Sequence, residues 1–510
     1  MKTNYLVSTR KLIFSNLALI AILMVTFFIR VPSLFEPLWV DDEAIYLTIG
    51  QKILHGGVMY LDIFDHKTPG IYYLAAATIK FLGASLWSFH FMLMIWVLVS
   101  LVIFYFLAKK MFSEKIALLA TFFLALLTST PLLEGNTVNS EILTILPITI
   151  GILFGLDKRL FLSGIFFSIA FLFKFPAIFD FLAFFIFAAL VMSKEHCSLV
   201  IKALSKLVLG FLLPFTLTVL YFLINGALGK YLYSIFYFNV GYVNYNNHFI
   251  IENGLLIIKA IPLLLIICFF VYKTLINKTS NKKIRLSLFD FLIIWLFFSF
   301  YGAVFAGRPY EHYLIQTAPA FSLIAAASFF QKNISKIGLL VLAFIVILAF
   351  SLRFRPSIPS FYYPIFFRYV SSDTNFESYA GYFKPEVNRN YNLASFLKGC
   401  EKYSGSGVCE ETRTQNTDKL YIFSNAPAIY FLSGLDPASR YINFYHIAES
   451  KKIQDEVAKE IIKEKPRYIL IEKSLEKQFP KLEDIVSSSY NLSAFYENTA
   501  IYKISKGSSF

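Results

Sequence analysis

Long apolar runs separated by short basic clusters fill residues 1–352, and the remainder of the chain is mixed. A helix crosses a bilayer with about 20 mostly apolar residues, and cytoplasmic loops carry the excess of Lys and Arg. These rules thread the chain as about eleven spans, at roughly 12–30, 87–108, 116–133, 141–156, 160–175, 177–193, 207–225, 254–272, 287–305, 313–330 and 337–352. Lys2, Arg10 and Lys11 hold the N-terminus inside. Lys109-Lys110, Asp157-Lys158-Arg159, Lys194 with Lys202 and Lys206, Lys273 to Arg285, and Lys332 with Lys336 then fall inside as well. At 160–193 a single re-entrant hairpin fits the pattern nearly as well. The threading leaves the loop 31–86, the Tyr/Asn-rich loop Asn225 to Asn253, the turn Gly307 to His312 and everything from Arg353 outside.

In the last part of the chain the patterning shortens. Leu420 to Phe423 and Tyr468 to Ile471 read as strands, being β-rich and bounded by polar residues. Ile453 to Lys465 carries Val457, Ile461 and Ile462 among Glu and Lys and stops at Pro466, as an amphipathic helix does. The expectation is a mainly α membrane protein: a transmembrane domain over 1–352 with its first outer loop at 31–86, and an extracytoplasmic α/β domain over 353–510. No internal repeat or low-complexity tract is evident.

Composition sharpens this. Of 510 residues 57% are hydrophobic and 16% charged, against about 25% charged in soluble proteins, and the mean hydropathy is +0.61. That places the chain in the plasma membrane as a multi-pass protein with lipids around it. The formal charge of +14 raises the question of a nucleic-acid partner, but the basic residues are dispersed between apolar runs and form no single basic face. The 57 Phe and 31 Tyr suit lipid-facing helices and interfacial belts. None of the four cysteines has zinc or haem spacing. Cys400 and Cys409 lie close together in a polar region, where a disulfide or two free thiols both fit. Arg30-Val31-Pro32 follows the first apolar run in place of a small-residue cleavage site, so that run reads as a retained signal anchor.

The polar residues that break this pattern are the candidates for chemistry. In the stretch Leu38 to Tyr73, Asp41 can cap a helix that Gly56-Gly57 stops, with Ile45, Ile49 and Ile53 on one stripe. An interfacial amphipathic helix explains one or two acids, but Asp41, Asp42 and Glu43 in a row exceed what capping requires. Lys174 lies in or near the hydrocarbon, where a charge costs roughly 2.5–3.5 kcal/mol, and is a functional candidate by default; snorkelling beside Pro176 is the competing reading. Arg308 and His312 occupy an outer turn, where a guanidinium can bind phosphate oxygens bidentately or simply anchor at the interface. Asp65, His66 and His248 can hold a divalent metal but lack diagnostic spacing; solvation or hydrogen bonding is the commoner fate, so a divalent metal stays open and no cofactor is certain.

Asp42-Glu43 followed by Tyr46, then Gly56-Gly57 and Tyr60, then His66-Lys67-Thr68-Pro69 before Tyr72-Tyr73, resembles the first outer loop of the PMT/ArnT-like membrane glycosyltransferases of GT-C architecture. The likeness extends to Arg308-Pro-Tyr-Glu-His312-Tyr313 with Pro319, and to Asn425-Ala-Pro-Ala-Ile-Tyr430. This chain has Lys-Thr-Pro where relatives have a Lys-Pro-Pro-like motif, and His66 where some carry an acid. The resemblance implies transfer of a sugar, with inversion, from a polyprenyl-phosphate donor to a hydroxyl or amine of a lipid, glycan or protein on the extracytoplasmic side. By match to the motif, Asp42 is the expected general base, Glu43 orients the loop or binds acceptor, and Lys67 meets the donor phosphate. Lys174 and Arg308 would add phosphate contacts. Glu141 corresponds loosely to a second acid, with a plain helix-start acid as the alternative, and His312 belongs with it on the acceptor side.

Two rivals remain in view. A transporter or lipid flippase also fits a many-span chain with an embedded Lys174, but predicts paired repeats that are not seen. A non-catalytic envelope scaffold would tolerate neutral replacement of Asp42, Lys67 and Arg308 together.

Overall fold

The computed structural model describes residues 2–193, 195–239, 256–279, 287–356, 360–399, 418–448 and 450–505; His248, Cys400 and Cys409 lie outside the described residues. The chain opens with nine helices in order: α1 (Lys2–Arg30), α2 (Asp41–Leu54), α3 (Gly70–Leu82), α4 (Leu86–Met111), α5 (Glu114–Ser129), α6 (Ser140–Leu156), α7 (Leu160–Phe173), α8 (Ile178–Met192) and α9 (Cys197–Ile224). Leu256–Thr279, Leu288–Val304, Ala318–Phe330 and Lys332–Ser351 complete the apolar set.

Among the described residues, six stretches are long and apolar enough to cross a membrane: Asn16–Phe35, Leu86–Met111, Phe175–Met192, Cys197–Ile224, Glu311–Phe330 and Ile334–Ser351. The protein is therefore mainly α and multi-pass. The expected eleven spans are not reached on this measure. The other expected spans are helical, but α5, α6, α7 and Leu288–Val304 run only 16, 17, 14 and 17 residues, short of the roughly 20 that an untilted crossing needs. The stretch 160–193 is two helices, interrupted where Lys174 adopts an extended conformation (φ −154°, ψ 127°) before the turn Phe175–Ala177.

The chain divides into two compact units. The first comprises Met1–Ser33, His90–Tyr221 and Ile235–Ser360. Its apolar interior is aromatic, with Phe171 against Phe211 and Phe167 against Phe184. α7 and α9 approach closely at Gly164 and Gly210: a Cβ on either would lie 2.0 Å from a carbonyl oxygen of the other helix. Small residues allow such backbone proximity between apolar helices, where packing replaces the hydrophobic driving force. Arg30, at the end of α1, is fully buried and donates from Nη1 to the carbonyls of Thr128 (2.8 Å) and Gly135 (2.6 Å).

The second unit comprises Leu34–Phe89, Phe222–Ser234 and Phe361–Phe510. Its five-stranded sheet has the order β2-β1-β3-β5-β4, built from Lys419–Phe423 (β1), Asp436–Pro437 (β2), Tyr468–Glu472 (β3), Tyr490–Tyr496 (β4) and Thr499–Ile504 (β5). β1 and β3 pair in parallel, Leu420 opposite Tyr468, and both are buried along nearly their whole length, as strands covered on both faces must be. The helix Lys451–Glu464 follows the expected amphipathic pattern. α2 packs on α3 and on Ala428–Ser433, and Phe64 N–H donates to the Arg440 carbonyl at 2.7 Å. The acidic stretch is thus built into the same unit as the sheet.

One local expectation is corrected. Val40, not Asp41, is the N-cap of α2, and no side chain caps it. Asp41 already has helical backbone there, and its carboxylate lies 3.6 Å from Lys384 Nζ. The acids still sit at the positive end of the helix dipole.

Candidate active site

Two clusters carry the candidate residues, one in each unit. In the second unit, the first turn of α2 presents Asp41, Asp42 and Glu43. Glu43 is completely buried, whereas the Asp42 side chain keeps 36% of its exposure. Lys67, on the loop before α3, pairs with Asp42 at 2.7 Å and donates to the Tyr46 hydroxyl at 2.8 Å, with its ammonium 4.7 Å from the Tyr46 ring centre. Tyr46 O–H in turn donates to Asp42 at 3.3 Å. Tyr60, at φ 67°, donates from its hydroxyl to the Lys67 carbonyl at 2.7 Å, holding the loop. Burial works against the charge on Lys67, but Asp42, Tyr46 and Asp65 outweigh it and hold its pKa well above the usual lysine value. Asp41 differs: burial pushes its carboxyl up despite Lys384.

Next to Lys67, Asp65 accepts from the His66 backbone N–H (2.8 Å) and the Tyr72 hydroxyl (2.6 Å), and its Oδ1 lies 2.9 Å from His66 Nδ1. Burial opposes its ionisation, but His66 and Lys67 keep its carboxyl far below the ordinary range. His446 completes this group; burial pushes its imidazole down to about 3. Asp65, His66 and His446 each bring a ligand atom within 4.8 Å of the others. One carboxylate and two imidazoles form a donor set that zinc-like divalent ions accept. The two oxygens of Asp65 already take hydrogen bonds, so the same carboxylate also orients His66 without an ion.

In the first unit, Lys174 sits at the break after α7. It forms an ion pair with Glu141, in the first turn of α6, and lies 3.9 Å from the ring centre of Tyr313. Glu141 is 2% exposed. His312, in the 3-10 helix Glu311–Thr317, places Nδ1 2.6 Å from Glu134 and Nε2 3.8 Å from Glu141. Arg308 is buried on the turn that leads into this segment.

The structure therefore brings Asp42 to Lys67, and Glu141 to both Lys174 and His312. Sequence reasoning missed Glu134 and His446. Glu134 stands in a short turn with φ 52°, for which the following Gly135-Asn136 is the only local sequence sign; His446 had no local signal.

Comparison with known proteins bears on the fold. Residues 66–224 match the family model described as dolichyl-phosphate-mannose-protein mannosyltransferase. The structure is similar to that of ArnT from Cupriavidus metallidurans bound to undecaprenyl phosphate, with 12% identity and a TM-score of 0.54 over 95% of this chain and 97% of that one. The apo form of the same protein gives 14% identity and a TM-score of 0.54 over 97% and 98%. Sequence comparison with curated proteins finds no match. At such identities the likeness is one of fold: a polytopic membrane architecture shared with ArnT along nearly the whole of both chains.

Proposed function

We propose that this chain is an inverting glycosyltransferase that moves a sugar from a polyprenyl-phosphate-linked donor to a lipid, glycan or protein acceptor on the extracytoplasmic face. The acceptor hydroxyl or amine attacks the anomeric carbon, its proton passes to Asp42, and the carbon–oxygen bond to phosphate breaks with the electron pair leaving on the polyprenyl phosphate. A phosphate leaving group needs charge stabilisation more than protonation, and the acceptor needs a base. One carboxylate with nearby cations suits this better than the two facing carboxylates of a glycosidase.

The observation that carries the reading is the Asp42–Lys67 pair at 2.7 Å. A donor phosphate competes with Asp42 for Lys67, so arrival of the donor frees the base. Glu43 supports the loop or binds acceptor. The cluster of the first unit is a second candidate site in its own right, with Lys174 and Arg308 as cations for phosphate and Glu141 and His312 for an acceptor. The fold likeness to ArnT and the family match over 66–224 support the class. Any divalent ion would be held by Asp65, His66 and His446, and none of these steps passes through it.

The test is Asp42→Asn in purified protein given a polyprenyl-phosphate sugar. Turnover is expected to fall by about 10²–10⁴-fold, and transfer at an undiminished rate removes Asp42 as the base.

A further inference from the structure

Asp180 lies in the stretch Phe175–Met192, long and apolar enough to cross a membrane, and is 1% exposed. It accepts from Trp295 Nε1 (2.7 Å) and the Ser299 hydroxyl (2.7 Å) on one oxygen and from Gln316 Nε2 (2.6 Å) on the other. Gln316 Nε2 also donates to the Pro176 carbonyl at 2.9 Å. One side-chain amide therefore ties together Asp180, the break that follows Lys174, and the 3-10 segment that bears His312 and Tyr313. Room for that amide comes from Gly302, where a Cβ would lie 2.8 Å from Gln316 Nε2.

The two tied segments are the irregular ones. Backbone without helical hydrogen bonds at membrane depth persists only where protein groups satisfy it, and a carboxylate there is costly and marks function by default. The Trp295 and Ser299 bonds join α8 to Leu288–Val304, which is ordinary helix packing. The Gln316 arm alone reaches the segments that set Lys174 against Glu141 and Tyr313. Side chains at a reacting centre hold position only when a supporting shell locks them.

We propose that Asp180, acting through Gln316, is a positioning residue that fixes Lys174 relative to His312. The phosphate role of Lys174 rests on the function proposed above; the positioning itself does not. Asp180→Asn would set an amide against three donors and can unfold the bundle, so Gln316→Met is the sharper variant, with Trp295→Phe and Ser299→Ala as comparisons. Reductive ¹³C-methylation of the purified protein gives Lys174 a resonance, assigned by its loss in Lys174→Gln. That resonance is expected to shift in Gln316→Met and stay in place in Trp295→Phe and Ser299→Ala, although all three lower the melting temperature. An unmoved resonance in Gln316→Met, or equal shifts in all three, overturns the proposal. In parallel, undecaprenyl phosphate binding is expected to weaken about tenfold in Gln316→Met, with Lys174→Gln/Gln316→Met no weaker than Lys174→Gln alone. Binding unchanged in Lys174→Gln removes the phosphate role of Lys174 while the resonance still decides the positioning.

Discussion

The two clusters follow one plan in different surroundings. Each sets a lysine against a carboxylate and over a tyrosine ring: Lys67 with Asp42 and Tyr46, Lys174 with Glu141 and Tyr313. They differ in access to water, since the Asp42 side chain is 36% exposed and that of Glu141 2%. An ion pair open to solvent contributes about 0–1 kcal/mol and is readily exchanged for another partner. A buried pair is held by the cost of leaving either charge alone. The first pair is therefore the more easily exchanged for another partner, and the second the more firmly held.

The two acids separate most directly when each is neutralised. Glu141→Gln removes the buried carboxylate paired with Lys174 and is expected to cost about 3–5 kcal/mol of stability, whereas Asp42→Asn should change the unfolding midpoint hardly at all while lowering turnover about 10²–10⁴-fold. Equal losses of stability in the two variants would erase the distinction. A smaller effect is expected from Tyr46→Phe, which keeps the ring under Lys67 but removes the hydroxyl that bridges Lys67 and Asp42; denaturant unfolding should show a loss of ~1 kcal/mol. Asp41→Asn sharpens the contrast between neighbouring acids and is the smallest. Because burial raises the folded pKa of Asp41, its protonated form favours the folded state. That contribution is complete below the unfolded value near 3.9 and is lost as the pH rises through the raised folded value. Asp41→Asn should therefore melt slightly higher than the parent at pH 7 and converge with it in acid.

What could be read from sequence was whatever is local. Asp42, Glu43 and Lys67 fall within the single stretch Leu38 to Tyr73, whose order of acids, aromatics and prolines is itself the signal, and the helix and strands of the C-terminal region follow from periodicity. The partners of His312 and His66 could not be read that way: His312 meets Glu134 across 178 positions and His66 meets Tyr445 across 379, and no periodicity links such distant residues. The eleven expected spans are reached only in part, since six stretches are long and apolar enough among the described residues. Hydropathy marks α7 as apolar, but its 14 residues are short for an untilted crossing. Asp180 passed unremarked because a single acid barely changes the hydropathy of the apolar run around it.

The grip of Arg30 on the carbonyls of Thr128 and Gly135 carries a consequence for protein engineering. Those carbonyls bracket the turn that presents Glu134 to His312. Replacing residues 1–30 with an unrelated apolar helix that ends without a donor side chain would release that turn. The helix Lys2–Arg30 is thus a structural part of the first unit, because its last residue holds the backbone of that turn.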